Sequence, residues 1–305
     1  MCREKHTKDL IFWVLIILIP AYIYFGSKPD PERARQILEK WGFPFTADHF
    51  VRSAYIFNNK ALELFLIAGM DPDAVSQSGK TALQQAALKN NAQAIKLLLD
   101  YGANPHLRNQ QGHTALDIAL ARKNAEATKT LLSCINKPDI PEINLAFLKL
   151  TSAGDTQMVQ AMLDGGVDPG KSAMVQGAGN TEIINVLAAN GGDINAQDSH
   201  GRTALMMAAD RPIAVKNLIR KGAKLNLQDR DGRTALMFAA WWLNDKTVAE
   251  LIRRGADPYI RDDQGRTAVD YARLKKSQLR PEFQGGNRDL IVGAEKTLKL
   301  LQEAM

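Results

Sequence analysis

The residues able to carry chemistry are few and scattered. Five histidines, His6, His49, His106, His113 and His200, fall in separate segments, and none pairs at the helical spacing a metal site requires. Cys2 and Cys134 have no ligand-like partner in sequence, so neither a metal centre nor a disulfide framework is expected, and the compartment is left open. GAGNT, residues 177–181, has the glycines of a phosphate loop but lacks the Gly-Lys-Ser/Thr ending. QGGN, residues 284–287, reads as a loop in the same way. No triad of nucleophile, base and orienting acid is visible. The expectation is a chain with no catalytic residue, no metal, no cofactor and no small-molecule substrate.

What remains is the chemistry of recognition. The stretch GRTALMFAAWWLNDK, residues 232–246, ends a helical segment on Trp241 and Trp242. Neighbours in a helix point about 100° apart, so one core can hardly take both rings. Two roles fit: a ring filling a gap beside Leu243, or an anchor for a partner. A second set follows the loop glycines, where Lys80, His113, Arg202, Arg233 and Arg266 recur, extended by Arg108, Arg230 and Arg261. Such a ladder suits an acidic partner surface, or the arginines lie along neighbouring loops. The candidate partner-binding residues are therefore Trp241, Trp242, Arg202, Arg211, Arg233 and Arg266, with Arg211 at the position of Trp242 in the preceding unit.

The elements that position these residues repeat. GKTAL at 79 and GHTAL at 112 stand 33 residues apart, as do GRTAL at 232 and GRTAV at 265, with GRTAL again at 201. A fixed period of this size marks stacked structural units. Each continues as a short apolar helix, a polar turn, a second helix and a glycine-containing loop, as in AIKLLLDYGANPHLRNQ from Ala94. The pattern resembles the ankyrin repeat, whose units pair two antiparallel helices with a projecting hairpin loop. Degenerate units at 46–78, 144–170 and 171–200 fill the gaps, giving about eight, the last interrupted by KKSQLRPEFQGGNR before a closing helix from about Asp289. The fold class expected is an all-α ankyrin-repeat solenoid with hairpin loops, preceded by an N-terminal transmembrane helix. Within the resemblance, the tryptophans fall where ankyrin proteins present variable side chains along a concave face. The family's Thr-Pro-Leu-His is altered here, the histidine becoming Gln84, Asp117, Met206 or Met237, which weakens a tie from helix to hairpin. Thr81, Thr114, Thr203, Thr234 and Thr267 remain to cap the inner helices. Leu97, Leu98, Leu131, Leu132, Val186, Leu187, Leu218, Ile219, Leu251 and Ile252 are read as core between units, and Gly69, Gly102, Gly191, Gly222 and Gly255 as left-handed helix ends.

Composition agrees with a globular chain: 45% hydrophobic, 24% charged. A net charge of +6 and a pI near 9.2 mildly favour an acidic partner. The basic residues do not interleave with aromatics, so nucleic acid is not expected. Residues 10–26, LIFWVLIILIPAYIYFG, carry no charge and read as a signal anchor crossing a membrane. The expected organisation is a basic tail over 1–9, the span over 10–26, a linker and amphipathic capping helix over 27–45, and the repeat domain over 46–305. The function expected is a membrane-tethered, protein-binding scaffold or inhibitor with no enzyme activity. Anchored bacterial ankyrin proteins of similar type include envelope stress-protection factors and toxin-immunity proteins. The placement expected is a bacterial inner membrane, single-pass, with the repeats in the periplasm. A cytoplasm-facing scaffold that recruits partners is the alternative, and a non-catalytic module of an enzyme complex stands behind both.

Overall fold

A computed structural model describes residues 28–135, 141–279 and 288–305. The described chain is helical, and after a first helix, α1 (Pro31–Lys40), its helices fall into eight pairs. Units one to four are α2 (Ala47–Tyr55) with α3 (Asn59–Ile67), α4 (Ala82–Leu88) with α5 (Ala92–Asp100), α6 (Ala115–Arg122) with α7 (Ala125–Cys134), and α8 (Pro141–Ala153) with α9 (Thr156–Asp164). Units five to eight are α10 (Gly170–Gln176) with α11 (Thr181–Ala189), α12 (Ala204–Met207) with α13 (Pro212–Arg220), α14 (Ala235–Trp241) with α15 (Asp245–Arg253), and α16 (Ala268–Gln278) with α17 (Arg288–Ala304).

Short helices with one apolar stripe cannot be stable alone, and the stacking of like on like supplies the missing burial. The second helices pack in series from α1 through α3 to α17, forming a continuous outer layer. The first helices pack as an inner layer in two runs, α2 to α6 and α8 to α16. Of the expected core, Leu98, Leu131, Leu132, Leu187, Leu218 and Leu251 are fully buried between units, while Leu97, Val186, Ile219 and Ile252 are only half-buried against it. Between units three and four, Lys123 at the end of α6 pairs with Asp155 ahead of α9 at 2.7 Å, and Lys129 of α7 with Asp164 of α9 at 3.1 Å. Gly165 belongs there because a Cβ would stand 2.7 Å from the side chain of Leu132.

Sequence chemistry repeats at each helix end. The hydroxyls of Thr81, Thr114, Thr203 and Thr234 accept from the backbone N–H three residues on, at 3.1–3.4 Å. The residue at that third position reaches back to the threonine N–H: Gln84 and Asp117 through oxygen, Met206 and Met237 through sulfur at 3.4 and 3.5 Å. The altered histidine position thus keeps a capping box throughout. At Gln84 the tie to the next loop also survives, since Nε2 donates to the Leu107 carbonyl at 3.2 Å. Asparagines opening the outer helices do two jobs at once. Asn91 and Asn244 accept from their own third residues, while their amides, like that of Asn124, donate to carbonyls of the preceding inner helix or its end, at Ala54, Asp210 and Ala87.

The span expected at 10–26 and the single-pass, inner-membrane placement built on it are corrected. Among the described residues no helix is long and apolar enough to cross a membrane. The longest, α17, has 17 residues and alternates its apolar side with charges such as Glu295, Lys296 and Lys299. Residues 10–26, the tail at 1–9 and Cys2 lie outside the described residues, as does QGGN at 284–287. GAGNT is the turn between α10 and α11, with Asn180 capping α11.

Two glycines show when the residue type is obligatory. Gly222, at φ +90°, ends α13 with open space where a Cβ would sit. Gly232, at φ +77°, has the next loop against it, and a Cβ would stand 2.9 Å from the Asp263 backbone nitrogen. Gly222→Ala is expected to cost only the left-handed strain, about 1 kcal/mol. Gly232→Ala should cost roughly 2–3 kcal/mol, because the loops must also part. Equal losses in urea titration of the two variants would show that the loop stack contributes nothing.

Candidate functional site

Each loop closes on itself in one way. The backbone N–H of Asn109, Asp198, Asp229 and Asp262 donates to the carbonyl four residues on, at 2.9–3.0 Å. A glycine at the third step takes positive φ, as at Gly201, Gly232 and Gly265. This bend brings the acid at the first position beside the base at the fifth. Arg202 donates through Nε and Nη2 to Asp198 Oδ2 at 2.9 and 2.7 Å. Arg233 Nε donates to Asp229 Oδ2 at 2.9 Å, and its Nη2 also pairs with Asp231 at 2.6 Å. Arg266 Nε donates to Asp262 Oδ2 at 2.8 Å. The three guanidiniums of the expected ladder are thus committed within their own loops. Arg108 and Arg261 likewise donate to the glycine carbonyls of theirs, at 2.7 and 2.6 Å. Neighbouring loops are then joined backbone to backbone, Arg230 N–H to the His200 carbonyl and Asp263 N–H to that of Asp231.

The last of these clasps is the most developed. Asp262 is buried and accepts four hydrogen bonds, from the N–H groups of Gln264 and Arg266, from Arg266 Nε and from the Tyr271 hydroxyl at 2.7 Å. Arg266 Nη2, which donates to the Tyr271 oxygen, completes the ion pair. Burial alone would raise its pKa, yet the hydrogen bonds from Tyr271, Arg266 and the backbone overcome this and hold it at about 2. The same burial, with Asp262 accepting from its hydroxyl, pushes Tyr271 up to about 12. In the loop of unit six, burial again opposes ionisation, but Arg202 and its backbone keep Asp198 below its ordinary value.

Trp241 and Trp242 part company at the end of α14. Trp241 is half-buried, its ring edge-on to Tyr271 of the next unit at 6.4 Å between centroids, with Lys275 Nζ 4.9 Å above it. The same device covers Tyr55, where Lys89 lies 4.1 Å from the ring centre. Trp242 caps the helix and is 55% exposed. Leu243, at φ +53° and buried, turns the chain inward immediately afterwards. Arg211 is placed apart from this pair, with its guanidinium over Gly179 of the preceding turn and its Nε 3.7 Å from Asp210.

Around these residues the inner face is aromatic and charge-neutralised. Arg233 lies 5.1 Å over the ring of Phe238, and Arg266 4.7 Å over that of Tyr271. At units two and three the face is polar instead, with an open cleft of about 310 Å³ bordered by Lys80, Gln85, His113, Asp117 and Arg122. Among the described residues no three His, Cys, Asp or Glu side chains converge as metal ligands would. Sequence reasoning missed the acid–base clasps, although the signal was present: an Asp stands four residues before each of Arg202, Arg233 and Arg266.

The family model described as ankyrin repeats, three copies, matches residues 51–144, 146–229, 171–262 and 211–277. No curated protein matches the chain. Among solved structures, an ankyrin repeat domain from Acinetobacter baumannii AYE is similar, at 24% identity over 73% of this chain and 96% of its own, with a TM-score of 0.39. Since the family model spans most of the chain, and the paired helices, threonine caps and 33-residue period are those of its units, the chain belongs to the ankyrin repeat family.

Proposed function

We propose that the chain is a binding scaffold whose inner-helix face over units six to eight receives another protein, with Trp242 as anchor and no reaction of its own. Ankyrin repeats are protein-interaction scaffolds, and residues 28–45 would serve as the N-terminal cap of a binding domain running from 46 to 305. The observation that carries the reading is the division of labour in the tryptophan pair. Trp241 gives its ring to Tyr271 and Lys275, which stiffens the end of α14, while Trp242 stays 55% exposed on that support. A free indole on a rigid helix end buries much area at little rotamer cost. Arg202, Arg233 and Arg266 enter as the frame of the face rather than as steering charges, because each is already paired with an aspartate. Arg211 keeps an exposed side chain and contributes at the rim.

A photoreactive p-benzoylphenylalanine in place of Trp242, in the full chain, is expected to crosslink one partner. Trp242→Ala should then weaken that complex by about 2 kcal/mol or more while leaving the melting temperature nearly unchanged. Trp241→Ala should behave oppositely, losing roughly 2 kcal/mol of stability as its inter-unit contact disappears. A partner that binds Trp242→Ala as tightly as the wild type would place the interface elsewhere.

A further inference from the structure

Positive charge also gathers on the opposite face. α13 and α15 lie side by side in the outer layer and border an open cleft of about 300 Å³ lined by Ile213, Lys216, Arg220, Glu250, Arg253 and Arg254. Four cations meet one carboxylate there. Arg253 grips Glu250 with both Nε and Nη2, at 3.1 and 2.6 Å, and Arg254 Nε adds a third bond at 3.0 Å. Two guanidiniums are thereby fixed in place, and they keep the Glu250 carboxyl below its ordinary value. Lys216 and Arg220 are exposed, and among the described residues neither has a carboxylate within ion-pair distance. Of the neighbouring acids, Asp245 stands at the start of α15, away from the basic helix ends, and Glu295 of α17 pairs with Lys276.

One basic residue at a helix C-terminus is explained by the helix dipole. Here Arg220–Lys221 and Arg253–Arg254 stand 33 residues apart, so both helix ends are doubly basic and stack in register. The corresponding residues of units two and five are Asp100–Tyr101 and Ala189–Asn190, so the feature belongs to units six and seven. Beside it Ile213 is 77% exposed on the first turn of α13, the most exposed of the large apolar side chains among the described residues. Cations fixed by a shared carboxylate lose little freedom when an anion arrives, and an apolar contact beside them supplies what charge alone cannot, a preference for protein over free anion.

We propose that this outer face is a second docking site, taken by an acidic segment of a partner protein that sets carboxylates on Lys216, Arg220 and Arg253 and one apolar side chain on Ile213. Its positive character is what selects the partner. It is separate from the Trp242 face, and the test keeps the two apart. The probe is a short fluorescein-labelled peptide of glutamates with a leucine at every fourth position, titrated with the full chain and followed by anisotropy. Binding that weakens with salt is expected. Lys216→Glu with Arg220→Glu should weaken it about tenfold or more. Ile213→Ser should weaken it several-fold without altering the salt dependence, and Trp242→Ala should leave it unchanged. Because Lys216, Arg220 and Ile213 are exposed, these variants should retain the wild-type helical circular dichroism. Absence of binding, or wild-type binding by the double charge-reversal variant, overturns the proposal. So does tighter binding of a short DNA duplex than of the peptide, which would assign the patch to nucleic acid.

Discussion

Deleting α17 is expected to open the C-terminal end of the solenoid, lowering the unfolding midpoint and causing the chain to aggregate. Ala294, Thr297 and Leu301 of this helix are completely buried against α15 and α16. Gly293 lies so close to the turn after α14 that a Cβ would stand 3.3 Å from the Leu243 carbonyl. Without α17, the sides of α15 and α16 that it covers meet water. Leu301→Ala makes the same point with the helix still present. It should cost about 3 kcal/mol, the usual range for a fully buried leucine. Since stability in such a stack is passed between neighbours, hydrogen exchange should quicken in α14–α16 and stay unchanged in α2–α5. An α17 deletion that melts with the wild type, without light scattering, would mean that this helix is no cap.

Asp262→Ala should be the most damaging single change in the loops, at roughly 3 kcal/mol. It strands four donors, the Tyr271 hydroxyl among them, and leaves Arg266 unpaired over an aromatic ring. The same group makes stability depend on acid. Its folded pKa of about 2 lies below the unfolded value, so between about pH 4 and 2 the unfolded chain takes up the proton first. The stabilisation is therefore complete above about pH 4 and lost as pH falls to about 2, to the extent of roughly 2 kcal/mol. Asp155, Asp164, Asp198, Asp270 and Glu250 are also held low and contribute to the wild-type acid slope. The test is thus the difference between wild type and Asp262→Asn, measured by urea unfolding at a series of pH values. That difference should shrink as pH falls through this window. Tyr271, raised to about 12, gives the mirror image. Its contribution is complete below about pH 10 and lost as pH rises to about 12, and Tyr271→Phe should abolish that alkaline loss. A gap between wild type and Asp262→Asn that stays constant from pH 5 to about 2 would show that the clasp carries no linkage.

The sequence alone determined the repeating unit, because its causes are local. A threonine cap, a left-handed glycine such as Gly222, and an apolar stripe need only the residues a few places away, and a 33-residue period makes the same local answer recur. The absence of any paired ligand or nucleophile spacing was readable for the same reason. A run of uncharged residues at 10–26 is also a local signal, yet it lies outside the described residues, and no described helix spans a membrane. Only the tertiary structure decided what each polar or aromatic side chain faces. In the sequence Arg202, Arg233 and Arg266 fit either an open ladder of charge or a place along neighbouring loops, and no local signal chose between them. The bend at the loop glycine brings each arginine to its aspartate. Trp241 and Trp242 are one residue apart and chemically identical, so nothing in their order tells them apart. Their roles separate because Tyr271 and Lys275 arrive from the next unit on one side of α14, while Leu243 turns the chain inward and leaves the other side open. The stack between units sets those contacts, and it depends on residues some 30 positions away that no local pattern can align to within a side chain.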